Sequence, residues 1–399
     1  MASGIVGCFT YLRKRALIGD VISHAVLPGV TIAFMLTGIK NPVSFVIGAI
    51  ISGLISVWAV DFIQQRSKLK PDTILALILS VFFGFGILLL TYVQRGGNAA
   101  QSGLDSFLFG KAASMSLKDV QIFSIIAILN LVAIGVFLRG FQLISFDETY
   151  AKSIGFKVRF LKSALAVITV VTVAIGVQAV GVVLMAALLI SPAAGARFMT
   201  NNIRKMLLFS GVIGSIAGIA GALISSTGLG MPTGPWVVVC LSAIAFLAIL
   251  FGKQRGLVSR IRLRRSNQLK ISNENVLKAL YKISQKNQHS MELERLKEED
   301  DLMHMPLVKV LKRLRRKELV ELVKGRVVLS EQGVISAREV IRKHRLWELY
   351  LSKYFQLATD HLHDDAEGIE HVITPEIEKN LTELLEYPDK DPHESEIPY

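Results

Sequence analysis

Long apolar runs fill the first 252 residues, whereas the rest of the chain mixes charged and apolar positions at short spacing. The apolar runs lie at 16–37, 43–63, 72–93, 119–138, 160–178, 180–196, 207–225 and 235–252. Each run approaches the roughly 20 residues that a helix needs to cross a bilayer. Short polar or glycine-rich stretches separate the runs, which is typical of connecting turns. The pattern therefore predicts an all-α polytopic membrane protein with about eight full transmembrane helices.

Two places in this pattern leave alternatives open. The opening MASGIVGCFTYL offers only about a dozen residues before Arg13, too few for a span. We expect a partial first helix, which either lies in the membrane interface or is the end of a span that starts further upstream. Between the fifth and sixth runs, GVQAVG is either a tight outer hairpin or a break within one long helix.

Basic residues indicate the orientation of the helices. They cluster at 13–15, 66–70, 139–162, 197–205 and 253–255. If the eight runs alternate in direction, every cluster falls on one side, which the positive-inside rule assigns to the cytoplasm. Residues 1–252 contain 18 Lys or Arg against 7 Asp or Glu, so they carry most of the net charge of +13. This excess marks cytoplasmic loops and is not evidence for nucleic-acid binding.

The chain changes character after residue 252. A basic stretch, 253–271, is interpreted as a juxtamembrane linker that suits anionic lipid headgroups. Beyond it the spacing predicts helices at 276–283, 306–322 and 334–355, with a hairpin at 323–333 that turns at Lys324-Gly325. Helices followed by a hairpin are the order of a winged helix-turn-helix. We therefore predict a transmembrane domain at 1–252, the linker, and a cytoplasmic winged-helix-like α+β domain at 272–399.

The first complete run contains two ionisable residues in the stretch GDVISHAVLPG. Asp20 and His24 are four positions apart, so on a helix they share one face. A carboxylate oxygen and an imidazole nitrogen suit Mn²⁺, Fe²⁺ or Zn²⁺. Ionisable residues within a membrane usually line a pathway. In a two-fold dimer, four such ligands would surround the axis and form a gate or a transient metal site.

The residues that follow the pair predict a cavity beside it. Pro28 and Gly29 are predicted to break the helix and to release backbone carbonyls toward a cavity. An alternative interpretation makes Asp20 a near-cap residue paired with Arg13 or Arg15, with His24 as a packed helix residue. The residue pattern alone does not separate the two interpretations.

Motifs for other chemistry are absent from the sequence. It contains no Walker A loop, metalloprotease motif or nucleophile elbow, so we expect no enzymatic activity and a separate ATP-binding subunit. Cys8 and Cys240 exclude a disulfide framework. The segment SPAAGARFMTNNIRK, residues 191–205, is the candidate docking loop for that subunit. Small residues there permit close contact, and Arg197 is placed for a partner carboxylate; the candidate residues are Pro192, Ala193, Ala194, Gly195 and Arg197. The alternative is a plain basic cytoplasmic loop.

Three motifs carry a resemblance to a known family. GDVISHAVLPGV, SFDETYAKSIGF and QAVGVVLMAALLISPAAGARFMT resemble the permease subunits of bacterial manganese/zinc/iron ABC importers of the ABC-3 type. The resemblance covers about 3–255, and in that family the first helix starts further upstream. It implies that Asp20 and His24 line the translocation pathway and that the transported ion is Mn²⁺, with Zn²⁺ or Fe²⁺ as alternatives. It also implies a multi-pass protein of the bacterial inner membrane without a permanently bound cofactor.

The resemblance further implies partners. They are an ATP-binding subunit, an extracellular metal-binding lipoprotein and a second permease, either another copy or a homologue. Membrane lipids are a further expected partner.

The tail resembles a second family. RKHRLWELYL, HDDAEGIEHVITPEIEKNLTELL and YPDKDPHESEIP are similar to manganese- and iron-dependent repressors of the diphtheria-toxin-repressor type. Glu367, Glu370 and His371 have helical spacing and match the manganese-type site of that family, with His344 as a fourth ligand. The remaining part of that site is an acidic pair in the family, and the matching positions are Asn275 and Lys278. A charged lysine cannot bind a metal, so the site is incomplete or uses a substitute such as Glu274; the alternative is a solvated acidic helix.

The tail has several candidate roles. DNA is not an expected partner, because LKEEDDLMHMPL carries acidic residues where such a domain approaches phosphates. We expect the tail to sense cytoplasmic metal and slow transport, or to dimerise the permease. A second hypothesis for the whole chain is a membrane-tethered metal-responsive regulator that controls transport or, after release, transcription. About eight helices favour a permease, since an anchor needs one or two.

Overall fold

A computed structural model describes most of the chain in two compact units, residues 1–260 and 261–399. The described residues are 1–38, 42–95, 110, 115–228, 231–285, 291–292, 296, 302, 306–323, 326–355 and 373–399.

The first unit is a bundle of helices. Its helices are α1 (Ala2–Leu12), α2 (Ile18–Thr37), α3 (Pro42–Arg66), α4 (Pro71–Arg95), α5 (Leu117–Phe146), α6 (Glu148–Ser153), α7 (Val158–Val180), α8 (Val182–Met199), α9 (Ile203–Ser226) and α10 (Thr233–Phe251). Within the described part of the chain, seven of them are long and apolar enough to span a membrane, namely α2, α3, α4, α5, α7, α9 and α10. Helices α1 and α8 are apolar but shorter. The predicted polytopic all-α fold is confirmed, and the segment predicted at 180–196 forms one of the two shorter helices.

Helix α1 packs inside the bundle. Its residues Gly4–Thr10 are all buried. The Ser210 hydroxyl on α9 donates a 2.6 Å hydrogen bond to the Gly4 carbonyl. A Cβ on Gly7 would lie 1.7 Å from the Leu189 carbonyl oxygen of α8, so only glycine permits this approach. The two alternatives for the opening segment, a helix in the membrane interface and the end of a longer span, both stay predictions.

The helical path is interrupted at Gly181, between α7 and α8. Gly181 has φ +90°, a backbone conformation that glycine adopts without strain. The Met185 sulfur lies 2.1 Å from the position of a Cβ on Gly176. One continuous helix, with its rise of about 1.5 Å per residue, would separate these residues by roughly 13 Å. The chain therefore bends sharply at Gly181, which divides the segment into the two helices α7 and α8.

Helix α2 continues through Pro28 and Gly29 to Thr37, so the predicted helix break is wrong. Proline removes one amide donor, but the neighbouring helical bonds remain and the surrounding helices hold the segment. Pro28 packs against Gly86 of α4, where a Cβ would lie 2.9 Å from the proline Cδ. Gly29 lies against the backbone of Gly48 in α3. Pro28 and Gly29 thus allow α2 to pack closely against α3 and α4, and they do not break the helix.

The second unit is an α+β domain, as predicted. It contains most of α11 (Leu257–Gln285), followed by β1 (Met291–Glu292), α12 (Leu307–Arg316), β2 (Val320–Val323), β3 (Arg326–Leu329), α13 (Glu331–Phe355) and α14 (Pro375–Leu384). The three strands form an antiparallel sheet in the order β1-β3-β2. Val323 pairs with Arg326, so a hairpin is present, but its strands span 320–329 rather than 323–333, because α13 already begins at Glu331. The predicted turn residues Lys324-Gly325 lie outside the described residues. Most of the predicted linker 253–271 is helical, because α11 begins at Leu257.

The predicted helix at 306–322 is too long. Helix α12 ends at Arg316, and Glu318 has φ +58°, which turns the chain toward β2. Val320, which opens β2, is 1% exposed and pairs with Leu329. Pairing across the hairpin therefore overrides the helical periodicity of VELV, since strand preference depends on cross-strand partners.

Substitution of Gly29 by alanine tests the close packing of α2. The added Cβ would lie 2.1 Å from the Gly48 carbonyl oxygen and 2.6 Å from the Ser52 Cβ. We expect Gly29→Ala to destabilise the protein by about 1–3 kcal/mol, the usual cost of overpacking. Thermal unfolding in detergent measures the change.

Gly84→Ala is the matched control, because a Cβ on Gly84 of α4 meets no atom within 4 Å. Its melting temperature should stay the same or rise slightly, since alanine favours a helix by about 1 kcal/mol. Equal melting temperatures for the two variants would contradict the packing argument.

Candidate metal pathway

Asp20 and His24 form a close pair on α2. Asp20 lies in the first turn of the helix, and the His24 Nε2 atom is 3.4 Å from the Asp20 Oδ1 atom. The side chains are 35% and 19% exposed respectively. The structure thus brings the two sequence-predicted residues together on one partly open face of a membrane helix.

The alternative pairing of Asp20 with the nearby arginines is not the arrangement found. The Arg15 Nη1 atom lies 2.7 Å from the Asp61 Oδ1 atom, and its Nη2 donates to the Gln64 Oε1 at 2.6 Å. Arg13 lies 3.7 Å from Glu148. Both arginines therefore have other carboxylates beside them, and Asp20 has His24.

The environment of His24 leaves one ring nitrogen available. The imidazole meets the Phe83 ring of α4 edge-on, with 4.8 Å between the centroids. Its Nδ1 atom is buried and has no hydrogen-bond partner among the described residues. Buried polar atoms without a partner are uncommon and often mark the place of a water or an ion. In addition, Pro28 has no amide hydrogen, so the His24 carbonyl lacks its usual helical donor.

One chain supplies too few ligands for a stable metal centre. Across the described residues, no group of three or more His, Cys, Asp and Glu side chains is placed to hold an ion. Protein sites for divalent transition metals usually have four or more ligands. A second copy of the pair, or water, would have to complete the coordination shell of a passing ion.

The expected docking loop at 191–205 is a helix as far as Met199. Pro192, Ala193 and Gly195 are buried among helices of the same chain, because their small size permits close helix packing. Ala194 and Arg197 are half-buried, and Arg197 donates to the Asn201 carbonyl at 3.3 Å. The loop prediction is therefore wrong for residues 191–199, and the three buried residues are not available to a partner.

A surface that the sequence reasoning did not select is the short helix α6. The Asp147 carboxylate caps it by accepting from the amides of Thr149 and Tyr150 at 2.8 and 2.9 Å. Its Glu148 lies 2.6 Å from the Lys162 ammonium and 3.7 Å from Arg13. These contacts fix α6 to the bundle at the ends of several long helices. An acidic capping residue directly after an apolar run is the local signal that predicts such a helix.

Apolar side chains remain exposed on and after α6. Tyr150, Ile154 and Phe156 are 56%, 46% and 38% exposed. They lie outside the membrane-spanning helices, in the short connection between α5 and α7. Exposed apolar side chains outside a membrane can mark a protein contact.

In the tail, His344 is buried within α13 and has two close polar neighbours. Its Nε2 atom lies 2.9 Å from Glu348, and its Nδ1 atom lies 3.4 Å from the Lys278 ammonium. The other three candidate ligands, Glu367, Glu370 and His371, lie outside the described residues. Their association with His344 stays a prediction.

Residues 1–252 match the ABC 3 transport family. The chain belongs to this family. One relative of this ABC 3 permease is the manganese transport system membrane protein MntC of Bacillus subtilis, 39% identical over 90% of this chain and 82% of that protein. Another is the zinc transport system membrane protein TroC of Treponema pallidum, 37% identical over 66% of this chain and 89% of that protein. Both resemblances drawn from the sequence are confirmed, since residues 330–399 match the metal binding and dimerisation domain of iron-dependent repressors.

A solved structure supports the fold of the ABC 3 permease. PsaBC of Streptococcus pneumoniae, determined in complex with a Fab, superposes with a TM-score of 0.56 at 31% identity. The match covers 64% of this chain and 88% of that chain. The protein is thus a membrane permease with an appended repressor-like domain.

Proposed function

We propose that this ABC 3 permease forms the translocation pathway of an ATP-driven importer for a divalent metal, with manganese as the cargo. The Asp20–His24 pair on α2 is the observation that carries the proposal, because it places an oxygen and a nitrogen ligand on one face of a membrane helix. Such a donor set suits Mn²⁺, and it accommodates Zn²⁺ or Fe²⁺ as well. The names of the manganese and zinc relatives agree with this class of substrate.

The Asp20–His24 pair binds the ion only transiently. The Asp20 carboxylate offsets the charge of an ion that has lost part of its water shell, and the His24 imidazole adds a softer donor. Two permeases facing one another supply four such ligands. Few ligands and partial exposure keep binding weak, which lets the ion leave again.

Energy for transport comes from a separate ATP-binding subunit on the cytoplasmic face, and an extracellular metal-binding lipoprotein delivers the ion. Arg197 and the exposed side chains of α6 form the docking surface for the ATP-binding subunit. The Glu148–Arg13 contact joins α6 to the connection that leads directly into α2. A displacement of α6 therefore reaches the residues just before Asp20.

The second candidate function is a membrane-tethered regulator, favoured by the repressor-like match of residues 330–399. A chain ending at Gly256, directly before α11, separates the two functions. We expect this chain to retain metal uptake, because the pair and the α6 surface both precede the cut. Loss of uptake despite normal membrane abundance would favour the regulator.

Asp20→Ala and His24→Ala should each reduce manganese uptake to background, since either change removes half of the ligands of each chain. Uptake of radioactive manganese by cells that lack their own importers measures the effect, with membrane abundance measured in parallel. Asp72→Asn, which removes an exposed carboxylate in the first turn of α4, is the control and should transport normally. Normal uptake by both pair variants would refute the pathway assignment.

Arg197→Glu should lower copurification of the ATP-binding subunit and its stimulated ATPase activity, because a repelling charge replaces an attractive one at the docking surface. Arg95→Glu, at the C-terminal end of α4, is the matched control. If both variants copurify equally well, Arg197 has no docking role.

A further inference from the structure

Three polar side chains form a fully buried cluster in the second unit. Lys278 of α11 is 3% exposed, and His344 and Glu348 of α13 are 4% and 2% exposed. The turn of α11 around the lysine, residues 276–281, is buried throughout, so the ammonium does not extend along the helix to water. Burial of a charge in this way is costly unless polar partners compensate for it.

The contacts within the cluster supply that compensation. The Lys278 Nζ atom lies 3.4 Å from the His344 Nδ1 atom, and the His344 Nε2 atom lies 2.9 Å from the Glu348 Oε1 atom. An imidazole with its hydrogen on Nε2 donates to the carboxylate and accepts from the ammonium at Nδ1. Among these three side chains, the ring then bridges one positive and one negative charge.

The same geometry does not fit a metal ion at His344. A metal bound to an imidazole nitrogen lies about 2.0–2.2 Å from it. At Nδ1 the Lys278 ammonium, 3.4 Å away, leaves too little room for a metal at that distance and also repels a divalent cation. Nε2 already faces Glu348. Both nitrogens of the ring are therefore engaged without a metal.

We propose that the Lys278 side chain takes the place that a metal ion would take beside His344 in the tail. It links α11 to α13 through the His344–Glu348 pair. The repressor-like domain therefore keeps this part of its fold without Mn²⁺, and the His344 position does not sense the ion. This inference concerns the tail alone and is independent of the transport role of Asp20 and His24.

Hydrogen exchange measured by mass spectrometry on the full-length protein in detergent tests the proposal. Peptides from α13 (Glu331–Phe355) report the tail separately from the membrane helices. Their protection should be the same, within about twofold, with and without saturating MnCl₂. A rise in α13 protection of about tenfold or more on adding MnCl₂ would overturn the proposal, including the case in which Glu367, Glu370 or His371 supplies the binding site.

Two substitutions at the lysine separate charge from metal binding. Lys278→Met keeps the side-chain length and removes the ammonium, so α13 protection should fall about tenfold or more and MnCl₂ should not restore it. Lys278→Glu supplies a carboxylate, so protection should fall without metal and recover with MnCl₂. Lys379→Met is the control, because Lys379 is 76% exposed in an ion pair with Glu383, and it should leave α13 unchanged. Wild-type protection in Lys278→Met, or no response to MnCl₂ in Lys278→Glu, would contradict the assignment.

Discussion

Close backbone contact between α2 and its neighbours is the constraint on which the proposed pathway depends. Gly29 and Gly48 bring α2 and α3 together at their backbones, and Gly86 admits Pro28 of α2 against α4. The Ser52 hydroxyl of α3 adds a 2.6 Å hydrogen bond to the Ala25 carbonyl. Within a bilayer, where apolar burial gives little preference for one helix neighbour over another, such contacts select the partners. They hold α2 in place while one part of its surface carries Asp20 and His24.

The sequence was sufficient for the features that follow from local pattern. The length of the apolar runs predicted the helices, and the residue spacing predicted the shared face of Asp20 and His24. The tail sequence predicted a hairpin, although its predicted bounds began three residues too late. Helix bounds were less accurate at VELV, because the partner strand that favours β structure there is a matter of tertiary pairing. The break expected at Pro28 and the loop expected at Pro192 failed for one reason. In a membrane bundle, proline and small residues can lie within a closely packed helix, so their presence does not by itself indicate a turn.

Contacts between distant positions were beyond the reach of one sequence. The ion pairs of Arg13 with Glu148 and of Arg15 with Asp61 join residues that no local pattern relates. Likewise, the sequence shows Lys278 only as a missing acidic ligand, whereas the fold places it against His344. The residue identity was informative, but its role depends on which side chain the fold places opposite it.

The histidine of each unit has a different environment. On α2 the Asp20–His24 pair is partly open, and one ring nitrogen has no partner among the described residues. The proposed pathway uses both features to bind a passing cation. In the tail the ring is engaged at both nitrogens and the cation is covalently part of the chain. A domain that needed manganese to fold would be least stable in a cell starved of manganese, which is when an importer is most useful. A lysine in that position makes the folding of the tail independent of the supply of the ion.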